Sequence, residues 1–461
     1  MLLPRAHGRV AGNSPHSFRP LNETHDPHLE CWVRSAHAAD TDFPIQNLPF
    51  GIFRRSHSDD EPRAGVAIGD QILDVTTWLS EGLFDGAAAE AAARCALPTL
   101  NALMALGNEA ASSLRRGIVG LLRSDGIGYE NFKRLGDACL TPMKGAQLYA
   151  PVQIGDYTDF YASVYHATNV GSMFRPDNPL LPNYKFVPIG YHGRASSIVV
   201  SGTDIVRPSG QTKDSKSETP SFGSTRMLDY ESELGIFVGR GNSLGAPISI
   251  QRAPDHIFGF CLVNDWSARD IQAWEYQPLG PFLAKNFATS VSPWVITSEA
   301  IEPFRAPAFV RPAADPTPLS YLDAPTDREK GSIQLFLEVW LQSGMMREQN
   351  IPATKLSRTA FGSMYWTPAQ LLTHHASNGC NLRTGDLLGS GTISGESKTE
   401  RGCLLELTWK GAEPLLLPTG EERRFLEDGD EVIMRGYCER EGYARIGFGD
   451  CGGMVLPSKE I

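Results

Sequence analysis

The sequence has no surplus of basic residues, no long apolar run and no signal for export. Its 42 Lys and Arg stand against 53 Asp and Glu, so the formal net charge of the 461 residues is −11. A nucleic-acid partner, which requires basic groups to neutralise phosphates, is therefore not expected. No stretch reaches the roughly 18 apolar residues of a membrane helix, and residues 1–40 lack the apolar core of a secretory signal. We expect a cytoplasmic protein without membrane contact.

Motifs of several familiar protein classes are missing as well. The eight cysteines include no C-x-x-C pair, which excludes zinc knuckles and dithiol motifs. The P-loop and H-E-x-x-H signatures are absent, so neither a P-loop NTPase nor a zincin is expected, and we do not expect a serine hydrolase. Because no convergent set of Cys and His is visible in the sequence, oxygen ligation of Mg²⁺ or Ca²⁺ is favoured over a zinc site.

The chain is rich in turn formers, with 45 Gly and 32 Pro, which favours short strands over a helical bundle. Apolar runs predict strands at 50–53, 65–68 and 71–75 and helices at 86–97 and 100–106. Further strands are predicted at 197–201, 234–238, 257–263, 333–341, 404–409 and 431–437. Residues 303–331 have neither helical nor strand periodicity and predict a surface excursion. We expect a mainly β protein with a disordered leader at 1–40, a small domain at 41–150 and a larger domain at 151–461.

Two glutamates stand close together on a predicted strand. Glu231 and Glu233 share one face and lie about 7 Å apart, because side chains alternate and each residue advances the strand by roughly 3.3 Å. A hard cation could bridge two carboxylates placed in this way. The alternative is a solvent-facing edge on which both acids are hydrated, and the spacing alone does not decide between the two.

Another acid follows an apolar strand. Asp265 stands at the end of that strand and before a predicted helix, from which Arg269, Gln272 and Tyr276 project on one side. A cation, an amide and a phenol beside an acid suit an anionic substrate. The alternatives are structural, with Asp265 as the helix cap and Arg269 in an ion pair with Asp270 or Glu275.

An acid and a histidine are separated by seven residues in the segment that follows residue 155. If Asp159 caps a helix, His166 lies about two turns along nearly the same face. A single histidine is more often a core residue than a catalytic base, so His166 gains a role only by association. The turn residue His192 and the pair His374 and His375 have no ligand-spaced partner and are expected to be structural. Spacing does not show whether Asp159 meets the other acids.

Six motifs spread along the chain carry a family resemblance. They are GDYTDFY at 155–161, HATNVG at 166–171, GYHGRASS at 190–197, NDWSARDIQ at 264–272, SGTISG at 390–395 and DGDEV at 428–432. Together they closely resemble the fumarylacetoacetase (fumarylacetoacetate hydrolase) family, and the likeness runs from about residue 42 to 457. It implies a small SH3-like N-terminal barrel followed by a β-sandwich roll catalytic domain, assembled as a homodimer. One departure is Ala284 and Ala288, where the family often has glycine.

The resemblance also implies a set of site residues. The family's ligands for Mg²⁺ or Ca²⁺ fall on Asp159, Glu231, Glu233 and Asp265, with Lys285 and Thr289 as additional metal-site positions. Its general base falls on His166, and the glutamate that orients the base falls on Glu406. Its substrate contacts fall on Tyr161, Arg175, Tyr191, Gln272, Tyr276 and Thr392, while Arg269, Gln272 and Lys285 are implied to stabilise the oxyanion.

The activity that the resemblance implies is hydrolysis of fumarylacetoacetate to fumarate and acetoacetate, the last step of tyrosine and phenylalanine catabolism. His166 would activate water while the cation polarises the oxygens of this diketo dicarboxylate. Another acylpyruvate hydrolase, a decarboxylase or an isomerase of the wider superfamily would keep the acids, but it fits the full-length likeness less well. A metal-stabilised binding protein would need neither His166 nor Glu406.

Overall fold

The strands form one large sheet and a smaller sheet that packs against it. The computed structural model describes residues 18–125, 134–135, 138–214 and 216–460. The large sheet has 13 strands, ten of which run in the spatial order Leu140–Pro142, Gln71–Asp74, Arg63–Ile68, Phe50–Arg55, Trp294–Thr297, Ile257–Asp265, Ser232–Val238, Leu387–Gly389, Tyr157–Phe160 and Gly190–His192. The other three are Ala146–Tyr149, beside Phe50–Arg55, and the parallel pair Thr289–Val291 and Ile198–Val200, which joins the sheet at Ile257–Asp265.

The smaller sheet has five strands, in the order Thr354–Ala360, Leu335–Gln342, Glu431–Cys438, Ile446–Leu456 and Ile205–Val206. Two-stranded pairs are Ser209–Thr212 with Ser221–Ser224, Leu228–Asp229 with Ser267–Ala268, Arg305–Ala306 with Ser332–Ile333, and Leu415–Leu416 with Glu422–Arg423. The helices are Val75–Ser80, Gly86–Arg94, Asn101–Leu106, Asn108–Leu122, Val164–Phe174, Ala253–His256, Arg269–Glu275, Ser298–Ile301, Pro325–Lys330, Gly344–Glu348, Pro368–Ala376 and Leu404–Leu407. The prediction of a mainly β protein is confirmed.

The central strand Ser232–Val238 is buried on both faces, and this explains its apolar sequence. Leu234 packs into a hydrophobic cluster that also contains Leu337 of the five-stranded sheet. Phe237 points the other way, into a cluster that contains Leu114 of the N-terminal helices. A strand enclosed on both sides tolerates polar residues only at its ends. Glu233 therefore stands at the beginning of this strand, and Glu231 lies just before it.

The cysteines and helices agree with the composition. All eight cysteines are free thiols, as the lack of a paired motif predicts. Across residues 18–125, 134–135, 138–214 and 216–460, no helix is long and apolar enough to cross a bilayer.

The leader is ordered from residue 18 onward, contrary to the disorder expected over 1–40; residues 1–17 lie outside the described residues. Thr24 and His25 are buried, and the amide of Asn22 donates to Glu299 Oε1 at 2.7 Å. The guanidinium of Arg115 donates to Thr24 Oγ1 at 3.0 Å. These anchors are isolated polar side chains without periodicity, which explains why the sequence pattern did not predict them.

Two further predictions are wrong. Residues 404–409 do not form a strand, because the helix Leu404–Leu407 begins where the carboxylate of Asp229 accepts the backbone N–H groups of Leu404 and Leu405. Residues 303–331 are not confined to the surface, because Leu322 and Asp327 are buried within this segment. In both places a partner distant in sequence overrides the local pattern.

The N-terminal strands share their sheet with the rest of the chain. Phe50 pairs with Val295 in an antiparallel ladder. Nearby, the amide of Asn47 donates to the carbonyl oxygen of Gly447, 400 residues away, at 2.8 Å. The division into domains at 41–150 and 151–461, and the SH3-like form of the first, stay predictions.

Candidate active site

Neighbouring strands of the large sheet bring acidic side chains together at one end. Asp159 lies on Tyr157–Phe160, Glu233 on Ser232–Val238, and Asp265 at the end of Ile257–Asp265. One carboxylate oxygen from each, and one from Glu231, all lie within 4.8 Å of one another, and the four residues are buried. The convergence that spacing left open is therefore present. The alternative of two hydrated acids on an exposed edge is wrong.

A glycine makes room for this acidic cluster of Asp159, Glu231, Glu233 and Asp265. Gly389 lies between the acid-bearing strands, paired with Asp159 on one side and Gly235 on the other. A Cβ at residue 389 would stand 2.8 Å from Asp159 Oδ1, 2.9 Å from Glu233 Oε2 and 3.1 Å from Tyr157 Oη. Any larger residue would force the carboxylates apart.

The chemistry of the acidic cluster fits a hard divalent cation. Its donors are all carboxylate oxygens, the type that Mg²⁺ and Ca²⁺ prefer. Burial and the charge of Asp265 raise the pKa of Asp159 well above its usual range, and burial and the charge of Asp159 do the same to the pKa of Glu233. Oδ1 of Asp159 and Oε1 of Glu233 are buried, yet no hydrogen-bond donor among the described residues reaches them. A cation would compensate both the crowded charge and these unused lone pairs.

Two buried cationic side chains pair with Glu231. Lys285 Nζ donates to Glu231 Oε2 and to Asp265 Oδ2, at 2.6 Å each. Nη1 of Arg269 lies 2.6 Å from Glu231 Oε1, and its Nε donates to Asp229 at 2.9 Å. Burial alone would raise the pKa of Glu231, but Lys285 and Arg269 lower it overall, so this carboxylate stays ionised.

The structural alternatives for Asp265 and Arg269 are both wrong. Asp265 does not cap the following helix, Arg269–Glu275, whose N-cap is Ala268. It accepts hydrogen bonds from Tyr191 Oη at 3.0 Å and Thr289 Oγ1 at 2.7 Å, besides the one from Lys285. Arg269 pairs with Asp229 and Glu231, not with Asp270 or Glu275.

Arg269 keeps unused hydrogen-bonding capacity. Its Nη1 donates to Gln272 Oε1 at 3.2 Å. Nη2 is buried and finds no acceptor within the described part of the chain. A buried guanidinium with a free N–H group is suited to an anionic oxygen of a bound molecule.

His166 and Glu406 form a buried hydrogen-bonded pair. Nδ1 of His166 lies 2.6 Å from Glu406 Oε2. Burial would raise the pKa of Glu406, but His166 and the neighbouring hydrogen bonds bring it down to about 2. An ionised carboxylate can only accept, so this bond assigns the proton to Nδ1. In the neutral ring, Nε2 of His166 is then the proton acceptor.

The helix Val164–Phe174 carries His166, and its cap differs from the predicted one. Ser163 is the N-cap, with its Oγ accepting from the His166 N–H at 3.2 Å, whereas Asp159 lies on the preceding strand. The ring of Tyr161 meets the imidazole edge-on at a centroid distance of 5.3 Å. Burial and the charges of Glu406 and Glu231 raise the pKa of Tyr161. Tyr161 therefore lies close to both the histidine and the acidic cluster.

The remaining substrate-binding candidates lie on or next to the elements that carry the site residues. Thr392 is buried directly after Gly391, whose N–H donates to Glu233 Oε2 at 3.2 Å. Arg175 ends the helix of His166 and donates to the carbonyl oxygen of Pro179 at 3.2 Å. Tyr276 ends the helix of Arg269 and is half-buried.

A cysteine lies beside the histidine, although no convergent set of Cys and His is visible in the sequence. Sγ of Cys403 donates to Glu406 Oε2 at 3.2 Å, which groups Cys403 with His166 and Glu406. Burial raises the pKa of this thiol, so it stays protonated. In this protonated state the thiol uses its hydrogen on Glu406, the same carboxylate that pairs with His166. The one sequence signal for this contact is the short distance along the chain between Cys403 and Glu406.

One short sequence match has no counterpart in the structure. Residues 241–245 read G-N-S-L-G, which fits the G-x-S-x-G pattern of serine hydrolases. Ser243 is exposed in a loop after the strand Ser232–Val238, and no helix begins there until Ala253. A nucleophile elbow needs a strand, a sharp turn and a helix in direct succession. The loop therefore does not support that chemistry.

The fold and the site together define a class of protein. An ionised glutamate is hydrogen-bonded to Nδ1 of a histidine whose second nitrogen has no hydrogen-bond partner among the described residues, and a carboxylate cluster suited to a hard cation lies close by. A nitrogen that can accept a proton, carboxylates that could hold a Lewis-acidic cation and a buried guanidinium are groups that can catalyse hydrolysis of a carbonyl compound. The class that these features fit is that of hydrolases acting on a carbonyl compound.

Comparison with known proteins identifies the family within this class. The family model "Fumarylacetoacetate (FAA) hydrolase C-terminal" matches residues 156–454, and "Fumarylacetoacetase N-terminal" matches residues 46–151. The chain is 49% identical over 425 residues to fumarylacetoacetase of Bos taurus, covering 91% of this chain and 98% of that protein. It is 50% identical over 425 residues to the Caenorhabditis elegans fumarylacetoacetase, covering 91% and 97%. The chain belongs to the fumarylacetoacetase family and is a hydrolase of that type.

Proposed function

We propose that this protein hydrolyses a carbon–carbon bond of fumarylacetoacetate, releasing fumarate and acetoacetate, as the last step of tyrosine and phenylalanine catabolism. The observation that carries the proposal is the pair of His166 and Glu406 close to the acidic cluster, in a chain that matches fumarylacetoacetases over 91% of its length. Cleavage of a diketone by water needs a base for the water and stabilisation of two oxygens. The site has groups for both.

His166 is the proposed general base. Its Nε2 takes a proton from water, and the water oxygen bonds to the ketone carbon beside the bond to be broken. Glu406 keeps Nδ1 protonated and stabilises the imidazolium that forms. As the carbon–carbon bond breaks, the imidazolium returns its proton to the leaving carbon, so the atoms balance. General base assistance of this kind accelerates a reaction by about 10² to 10⁴.

The charged groups around the base stabilise the anions that form. We assign the tetrahedral oxyanion to Arg269, Gln272 and Lys285. A divalent cation, Mg²⁺ or Ca²⁺, held by the acidic cluster with Lys285 and Thr289 adjoining it, supplies Lewis-acid polarisation of the diketone oxygens when bound. The carboxylate ends and the chain of the substrate are assigned to Tyr161, Arg175, Tyr191, Gln272, Tyr276 and Thr392.

The test is release of fumarate from fumarylacetoacetate, followed in a coupled assay with and without a chelator. We expect hydrolysis, loss of activity on removal of divalent ions, and recovery with Mg²⁺ or Ca²⁺. Full activity in the metal-free protein would contradict the cation's part in the proposal. Cleavage of simpler acylpyruvates without cleavage of fumarylacetoacetate would instead indicate another hydrolase of the superfamily.

The proposed setting is a homodimer in the cytoplasm. The proposed binding partner is the substrate, a small diketo dicarboxylate, and we propose no interaction with nucleic acid or with a membrane. The net charge of −11 supports the exclusion of nucleic acid.

A further inference from the structure

The carboxylate of Glu406 is held by more than His166. The amide of Asn169 donates to Oε1 at 2.8 Å, and the hydroxyl of Ser394 donates to Oε2 at 2.8 Å. The thiol of Cys403 adds a weaker donor to Oε2. Both carboxylate oxygens are thus bonded, and the residue is fully buried. Rotation of this carboxylate would break several bonds at once.

Ser394 is itself fixed in place. Its Oγ accepts the backbone N–H of Gly402 at 3.0 Å, which leaves its own proton for Glu406. Its carbonyl oxygen accepts the hydroxyl proton of Ser163 at 3.0 Å. Ser163 also caps the helix that carries His166. The hydroxyl of Ser394 therefore points at Glu406, because hydrogen bonds through the Gly402 N–H and through the carbonyl oxygen of Ser394 fix its position.

Asn169 stands one turn beyond His166 on the helix Val164–Phe174. Residues three positions apart lie on the same helix face. The imidazole and the amide thus contact the two different oxygens of Glu406 from one rigid element. This double contact sets the rotation of the carboxylate relative to the histidine ring.

We propose that Asn169 and Ser394 are positioning residues for the reaction. They hold the Glu406 carboxylate where it accepts from Nδ1 of His166 and so keep Nε2 free for water. Neither residue is assigned contact with the substrate or the cation. The catalytic part of this inference rests on the proposed function. The expected tautomer of His166 in the absence of substrate does not rest on the proposed function.

Kinetics on the cation-loaded enzyme give the first test, with the variants Asn169→Leu and Ser394→Ala. Leucine keeps the size of asparagine, so a side chain needed only for packing would be replaced without loss. We expect kcat to fall roughly 10- to 100-fold, as when hydrogen bonds that orient a histidine are removed. KM and the cation affinity should not change. Ser172→Ala is the matched control, because Ser172 lies on the same helix and donates to the Thr168 carbonyl oxygen instead. Unchanged kcat in both variants, or a change in KM alone, overturns the proposal.

The second test is independent of turnover. Nitrogen-15 spectra of histidine-labelled enzyme, with Mg²⁺ and without substrate, report which ring nitrogen carries the proton. The His166 signal is identified by its loss in His166→Ala, among the eleven histidines. We expect only the Nδ1–H form in the parent and a mixture of tautomers in Asn169→Leu and Ser394→Ala. The same single tautomer in all three proteins overturns the proposal. If the tautomers change but the parent does not cleave fumarylacetoacetate, the proposed function fails and the positioning role stands.

Discussion

At the scale of single residues, the proposed base and the proposed cation site use different side chains, so each can be removed alone. His166→Ala should lower turnover by about 10² to 10⁴, the usual share of a general base. Its cation affinity should remain that of the parent, because His166 is hydrogen-bonded to Glu406 and is not a member of the acidic cluster. Single-turnover rates and calorimetric titration with Mg²⁺ measure the two quantities.

Glu406→Gln should also be severely impaired, and the double variant with His166→Ala should be no slower than His166→Ala itself. A residue that only orients the base has little effect once the base is gone. Asp265→Ala is the contrasting variant, expected to lose cation affinity and activity together. If His166→Ala lost the cation as badly as Asp265→Ala, the separation of base from cation site would be wrong.

Gly389→Ala tests the space between the acids. The added methyl would stand 2.8 Å from Asp159 Oδ1 and 2.9 Å from Glu233 Oε2, closer than such contacts occur, so the carboxylates must move. We expect cation affinity, measured by calorimetry, to fall by about tenfold or more, in line with other changes next to metal ligands.

Gly223→Ala is the control for this substitution, since residue 223 also lies in a strand and has no atom within 4 Å of the added carbon. It should bind the cation as the parent does. Equal affinity in both variants would show that the acids do not require the space at Gly389.

The sequence predicts some of these residues and not others for a physical reason. Glu231 and Glu233 could be paired from strand geometry, because their relation is local. The meeting of Asp159 with them depends on strands adjacent in the sheet and far apart in the chain. Glu406 reads as one charge in an apolar run, and its role became visible only through resemblance. No local pattern shows that Asp229 would bind Arg269.

At the scale of elements, strands enclosed by the core were the most predictable. The runs at 234–238 and 257–263 appear as Ser232–Val238 and Ile257–Asp265, because burial on both faces imposes an apolar sequence. The failures are elements determined by polar contacts, such as Leu404–Leu407, where Asp229 accepts the first N–H groups. Such contacts leave no periodicity.

The segment 303–331 gives a prediction about pH. Asp327, on the helix Pro325–Lys330, is buried and accepts from Thr367 Oγ1 at 2.9 Å, and burial raises its pKa to about 6. The unfolded chain has a pKa near 3.9, so the folded state binds the proton more tightly. The stability from this group is present below about pH 4 and is lost as pH rises through 6. Asp327→Asn should therefore stabilise the protein at pH 8.

The measurement is the free energy of unfolding by urea at pH 8 and pH 5. The advantage of Asp327→Asn over the parent should shrink by about 1–2 kcal/mol between the two values, since the parent gains its proton at the lower pH. Asp204→Asn, at an exposed aspartate, should show no such difference. A pH-independent effect of Asp327→Asn would contradict the burial argument.

At the scale of the whole molecule, we expect a homodimer formed largely through the part of the chain after residue 151. Light scattering at micromolar concentration should give about twice the chain mass of 50.3 kDa. A particle near 50.3 kDa would contradict the prediction. Composition and strand patterns carry no information on assembly, so this expectation came from resemblance alone.

The long-range contacts of the N-terminal strands have a consequence for biosynthesis. The backbone carbonyl that receives the Asn47 amide is added to the nascent chain 400 residues later. At about 5–20 residues per second, that interval is about 20–80 s. For part of this time the strand Phe50–Arg55 also lacks its neighbour in the sheet, because Trp294–Thr297 has not yet been synthesised. The nascent chain therefore has an apolar strand edge for which the pairing strand is not yet synthesised. A chaperone that shields nascent strands would act on this protein at that stage.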